Sequence, residues 1–233
     1  MLTATHLTKR FGDVKALAGV SFAVRPREIL GVIGPNGAGK TTLLECVAGL
    51  LPLDTGEVAW CRVRLAPERR KEVLFYMPDG ILPWPDQPAR RVLGFVRELY
   101  GLAPGREGEV TRKLGLAPVL DRLVGRLSKG YVRRLLLALA LLTPQPVLVL
   151  DEPFDGLDLR QTRDVMTLVR EVAQDGRALV LSIHQLADAA RVCDRLLLLA
   201  AGRARGLGTL QELRQQAGAP AAATLEDVFL ALT

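Results

Sequence analysis

Five short apolar runs, each closed off by turn residues, constrain this chain more than any other feature: 29–33, 73–76, 147–150, 179–183 and 196–199. Runs this short, this rich in Val, Ile and Leu and without polar alternation read as strands buried on both faces, which is the habit of a parallel sheet held between covering layers. The segments between them carry helical spacing. Val165, Leu168, Val169 and Val172 recur at i, i+3, i+4 and i+7, as do Leu186, Ala189, Ala190 and Cys193. The pattern specifies an α/β fold with a mostly parallel sheet.

The stretch from Pro78 to about Pro146 differs in character. It opens with Pro78, Pro83, Pro85 and Pro88, then carries helical patterns near 89–100 and 107–114 and a leucine-rich one from Tyr131. We read it as a helical subdomain inserted into the sheet. The division is then residues 1–78 and 146–210 as the α/β core, 79–145 as the inserted subdomain and 211–233 as a C-terminal helical tail. In that tail, beyond an Ala/Gly/Pro linker at 217–223, Thr224 and Asp227 form a capping pattern ahead of Leu225, Val228, Phe229 and Leu232. This predicts a short terminal helix docked on the core.

Composition excludes several classes. With 233 residues, 49% hydrophobic and 24% charged, the chain has ample material for a core and is not a disordered or stapled scaffold. Its longest apolar run, 135–142, is far short of the roughly 18–20 residues that cross a bilayer. The start, MLTATHLTKRF, lacks the apolar core of a signal peptide. Three widely spaced cysteines and two histidines fit a reducing cytosol and make a Cys/His metal cluster improbable. A net charge of +6 favours an anionic partner, but lysine supplies only six of the 31 basic residues (9, 15, 40, 71, 113, 129) and the arginines are scattered.

Chemistry gathers at the ends of the runs. Gly34-Pro35-Asn36-Gly37-Ala38-Gly39-Lys40-Thr41 follows the run 29–33 and precedes a helical segment beginning at Thr42, the strand–loop–helix context of a phosphate-binding loop. Its glycines let backbone N–H groups approach phosphate oxygens, and the helix N-terminus adds a favourable dipole. Gly34, Asn36, Gly37, Ala38, Gly39, Lys40, Thr41 and Thr42 are therefore the candidate nucleotide contacts. Lys40 would reach the β/γ-phosphates and the Thr41 hydroxyl a Mg²⁺ ion. The run 147–150 ends in Asp151 and Glu152. Asp151 suits a Mg²⁺ ligand; Glu152 could polarise a water facing the γ-phosphate. His184 closes the run 179–183, so separate strand ends deliver Gly34, Asp79, Asp151 and His184 to one rim, the edge where open parallel sheets bind ligands. Ser128 and Gly130 precede the leucine-rich helix; hydroxyl and free N–H groups there make a second anion site or, read alone, a simple helix cap.

The order GPNGAGKTT, LSKGY, LVLDEP, DGLD and then a histidine resembles the nucleotide-binding subunit of an ABC transporter, over essentially the whole chain. That resemblance implies a P-loop NTPase core with an antiparallel N-terminal β-subdomain. It implies that Phe11 stacks on adenine, that Ser128 and Gly130 grip the γ-phosphate of the opposite protomer, and that Asp158 communicates across the dimer. By the same resemblance His184 contacts the γ-phosphate, Glu152 is the catalytic carboxylate, and two ATP molecules with Mg²⁺ are sandwiched in a head-to-tail homodimer. Asp79 stands where the family usually has glutamine, a shorter and charged replacement that we count with Thr41 and Asp151 as a metal ligand. Lys129, Asp79 and the ending TLEDVFLALT are similar to the drug, antibiotic and sodium exporter branch. The expected partner is then a separate integral membrane permease, the expected location the cytoplasmic face of the membrane, and no nucleic acid is involved. The rival is a soluble ABC-type ATPase acting on DNA or ribosomes, whose relatives carry two cassettes or long coiled coils. Trp84, between Pro83 and Pro85, is either an exposed anchor for the partner or part of the helical lobe's own packing.

Overall fold

The computed structural model describes residues 1–103 and 105–233. A hairpin opens the chain, with β1 (Leu2–Phe11) antiparallel to β2 (Val14–Val24). β3 (Ile29–Ile33) runs into the glycine-rich loop and α1 (Lys40–Ala48). β4 (Thr55–Trp60) and β5 (Val63–Arg64) return to the hairpin, completing a four-stranded antiparallel sheet in the order β2-β1-β4-β5. β6 (Leu74–Met77) precedes α2 (Ala89–Leu99), α3 (Arg106–Lys113) and α4 (Lys129–Leu142). There follow β7 (Val147–Asp151), α5 (Leu159–Gln174), β8 (Ala178–Ser182), α6 (Leu186–Val192), β9 (Arg195–Ala200), β10 (Arg203–Gly208), α7 (Leu210–Gln216) and α8 (Leu225–Leu232). The second sheet has six strands in the order β10-β9-β3-β8-β7-β6, parallel except for β10 at its edge.

The central strands are apolar at every position because both faces are covered. Successive side chains of a strand point to opposite faces. On one side Ile29, Ile33, Leu148, Leu150, Leu179 and Leu181 share a core with α4, α5 and α6. On the other, Leu30, Val32, Val147, Val149 and Val180 pack with α1 and the antiparallel sheet. The α/β class, the mostly parallel sheet, the antiparallel N-terminal sheet and the inserted helices are all present.

α4 is apolar around its circumference from Leu135 to Leu142, and every one of those residues is buried, as such a helix must be. Ser128 caps it, accepting a hydrogen bond from the Tyr131 N–H at 3.4 Å. α8 begins with a reciprocal cap: the Thr224 N–H donates to the Asp227 carboxylate (2.8 Å) and the Asp227 N–H to the Thr224 hydroxyl (3.2 Å). It buries Leu225 and Val228 in the larger core.

Five strands, β1, β2, β4, β5 and β10, lie outside the apolar runs. Bulges in the β1–β2 pairing break the alternation that would have marked them. β10 reads RARGLG and owes its strand conformation to pairing with β9 across the turn at Ala201 and Gly202. In α6 the buried stripe falls on Ala189 and Val192, and Ala190 faces solvent. α1 starts at Lys40, two residues before the helical segment read from Thr42, because the loop's last residue already has its carbonyl in the helix: the Leu43 N–H donates to Gly39 O at 2.8 Å.

Candidate functional site

Parallel strands in register bring their carboxyl ends to one edge. β3, β6, β7 and β8 end at Ile33, Met77, Asp151 and Ser182, and a cleft of about 500 Å³ opens there. Asn36 to Gly39 of the phosphate loop form one wall, and the loop can pack this closely only with glycine at 34 and 39. A Cβ on Gly34 would lie 2.2 Å from Leu199 O, and one on Gly39, at φ 101°, 2.5 Å from Ala16 O. Asn36, Gly37, Ala38, Gly39, Lys40, Thr41 and Thr42 all line the cleft, with Asp79, Glu152 and His184 opposite.

Lys40 is buried, and its ammonium donates to Gly34 O (2.8 Å) and Pro35 O (3.3 Å) of its own loop. Burial pulls its pKa down, against the attraction of Glu152 and Asp151. Glu152 sits at φ 51°, an uncommon backbone conformation for a residue with a Cβ. Its N–H donates to the Ser182 hydroxyl oxygen at 2.9 Å, and its carboxylate lies 3.1 Å from His184 Nε2. Burial pushes the Glu152 carboxyl above the ordinary carboxylate range, while His184 and Lys40 work the other way. A carboxylate made more basic in this way is suited to accepting a proton.

Asp151 is fully buried behind Glu152. The Ser182 hydroxyl donates to one of its oxygens and the Tyr76 hydroxyl, at 3.4 Å, to the other. Burial raises the Tyr76 phenol far out of the titrating range, so it remains a donor. Asp79 lines the cleft, but one of its carboxylate oxygens is ion-paired with Arg133 of α4. Phe11 ends β1 at 48% exposure, with Lys9 Nζ 5.3 Å from its ring centre. It pairs with Val14 across the hairpin, and Val14, Lys15 and Ala16 line the cleft.

Ser128, Gly130 and Asp158 are placed together, away from these walls. Ser128 caps α4 and Asp158 caps α5, accepting from the Gln161 N–H at 2.8 Å. The two helix starts touch: a Cβ on Gly130 would meet Gly156 O at 2.9 Å, and Lys129 Nζ is 2.6 Å from the Asp155 carboxylate. Sequence reasoning missed Lys15, Gly202, Tyr76, Ser182 and Arg133. Ser182, a lone polar residue in the run 179–183, carried a readable signal; Lys15 and Gly202 reach the cleft only through the packing of separate strands.

A family model described as "ABC transporter" matches residues 17–155. The linearmycin resistance ATP-binding protein of Bacillus subtilis is 28% identical over 94% of this chain and 72% of its own length. The zinc import ATP-binding protein of Cereibacter sphaeroides is 36% identical over 85% of this chain and 79% of its own. A solved structure of the ATP-binding subunit of an ABC transporter superposes with a TM-score of 0.91 at 28% identity, covering 100% of this chain and 99% of that one. A single short motif is shared by many unrelated proteins, but one match running from β2 through the phosphate loop and inserted helices to the strand-end acids is not. On that match the chain belongs to the ABC transporter family, as an ATP-binding domain.

Proposed function

We propose that this chain hydrolyses ATP, dimerises head to tail when ATP is bound, and powers export through a separate integral membrane permease. The observation that carries hydrolysis is Glu152. Its carboxylate is held 3.1 Å from His184 across the cleft from the phosphate loop, and burial makes it more basic. In this reading Lys40 exchanges the carbonyls of Gly34 and Pro35 for phosphate oxygens, Phe11 stacks on adenine, and Glu152 takes a proton from the attacking water.

The donor set fits Mg²⁺, which favours hard oxygens and takes one or two protein ligands beside phosphate and water. Thr41 offers a hydroxyl, and Asp151 has lone pairs beyond those used by Ser182 and Tyr76. Asp79, the third ligand expected from the sequence, is assigned instead to its ion pair with Arg133. The ion would supply neutralisation of phosphate charge. Ser128, Gly130 and Asp158 cap or flank helix starts outside the cleft, so a second copy, turned head to tail, is needed to bring them to a nucleotide.

No described helix is long and apolar enough to cross a membrane, which is consistent with a permease on another chain and a peripheral position on the cytoplasmic face. Export is supported by the linearmycin resistance relative and by Lys129 and Asp79; the zinc import relative favours the opposite direction. The permease that co-purifies with the chain discriminates between them. Glu152→Gln tests the core of the reading. It should keep ATP binding, lose turnover by about 10²–10⁴-fold and accumulate as an ATP-bound dimer in light scattering. Near-native turnover would remove Glu152 from this role.

A further inference from the structure

The buried side of α4 carries one charge. The Arg133 side chain is only 4% exposed, and its guanidinium reaches two separate stretches that frame the cleft, the turn 151–155 and Asp79. Its Nη1 donates to Asp151 O at 3.2 Å and its Nε to Asp155 O at 3.3 Å. Its Nη2 is ion-paired with the Asp79 carboxylate and lies 3.7 Å from that of Asp155. Asp151 and Asp155 flank Glu152 in the chain. A left-handed backbone at a glutamate persists only where the surroundings hold it, and the guanidinium grips the turn on both sides of φ 51°.

We propose that Arg133 is a positioning residue for hydrolysis. It clamps the carbonyls on either side of Glu152 and, through Asp79, ties that turn to the segment entering the inserted helices. The inference rests on the reading of Glu152 given above. A buried guanidinium is costly unless its N–H groups are satisfied, so its three acceptors depend on one another. Moving Asp79 leaves the charge short of its counter-ion, and the carbonyls beside Glu152 must respond. Lysine cannot replace it, because a compact ammonium lacks the rigid fork that spans two carbonyls and a carboxylate together.

The test uses the full chain with Arg133→Lys, Asp79→Asn and the double variant, beside Glu152→Gln. Measured are kcat, KM, the Mg²⁺ concentration for half-maximal rate, and the melting temperature. Arg133→Lys should lower kcat roughly 10–100-fold with KM changed less than about threefold, since misplacement of a reacting group by about 1 Å costs that much. Asp79→Asn should lower kcat less, leave half-saturating Mg²⁺ unchanged, and add nothing to Arg133→Lys, because groups acting as one unit are non-additive. Folded Arg133→Lys and Asp79→Asn with kcat within about twofold of the parent would overturn the proposal. So would losses that multiply together with a raised Mg²⁺ requirement in Asp79→Asn, which would make Asp79 a cation ligand acting without Arg133. Should Arg133→Lys fail to fold, Asp79→Asn alone still decides, because Asp79 is half exposed at the solvent end of the pair. If Glu152→Gln turns over normally, the hydrolysis reading fails and this one with it; an inactive Glu152→Gln beside active Arg133 and Asp79 variants sinks the clamp alone.

Discussion

The cleft around Lys40 and the helix starts at Ser128 and Asp158 are built from similar parts, yet they behave differently. Each offers free N–H groups at a helix N-terminus, the usual place for an anion. In the cleft, side chains from four strand ends converge, and Lys40, Asp151 and Glu152 are mostly withdrawn from water with perturbed or hydrogen-bonded polar groups. At the helix starts, Ser128 and Asp158 are exposed, and what they bind within the chain is their own helix backbone. The first region has the electrostatics of a reaction site inside one chain. The second has the chemistry to contact phosphate and nothing in its own chain to contact.

Four variants bear on that contrast. The largest effect is expected from Ser128→Arg. It should leave nucleotide binding to the monomer nearly intact while abolishing ATP-dependent dimerisation and turnover, since a bulky cation would replace the cap where a second copy closes the site. A monomer that hydrolyses ATP at saturating concentration, seen by light scattering, would erase the distinction between the two regions.

An intermediate effect concerns pH. Glu152 must be ionised to accept a proton, and burial raises its pKa above 4.5, the usual glutamate value. Turnover should therefore climb with pH beyond the point where a free glutamate is fully ionised, then level. His184 lowers the Glu152 pKa, so His184→Ala should carry the rise to higher pH as well as slow the reaction. A profile of kcat between about pH 5 and pH 9 that is flat for both proteins would separate the rate from Glu152 ionisation.

The smallest effect compares two caps. Asp158 and Thr224 each accept a backbone N–H at the third helical residue, so Asp158→Ala and Thr224→Ala should each cost about 1 kcal/mol in urea unfolding. Only Asp158→Ala should also lower turnover. Equal stability losses with full activity in both would reduce Asp158 to a cap.

Much of the site was legible because its chemistry is local. A phosphate loop needs its glycines, lysine and threonine within a few residues, and a strand end needs its acids beside the apolar run, so Gly34 to Thr42, Asp151, Glu152 and His184 stood out. The half-exposed antiparallel strands were legible only through resemblance, since bulged pairing erases the period of two. Trp84 shows what a local reading leaves open. It packs edge-on to Phe95 with ring centres 5.3 Å apart, as lobe packing requires, and still leaves 52% of its surface exposed.

By itself the sequence determined the layers and the phosphate loop, because burial on two faces and close backbone approach each leave a mark in consecutive residues. Only the tertiary structure decided what surrounds Glu152. Ser182, His184 and Arg133 lie 30, 32 and 19 positions from it in the chain (182 − 152, 184 − 152, 152 − 133) and meet around it because β7, β8 and α4 pack side by side. The raised pKa of Glu152 and the pairing of Asp79 with Arg133 arise from that packing. Desolvation and ion pairing depend on what is near in space, and no run of neighbouring residues records it.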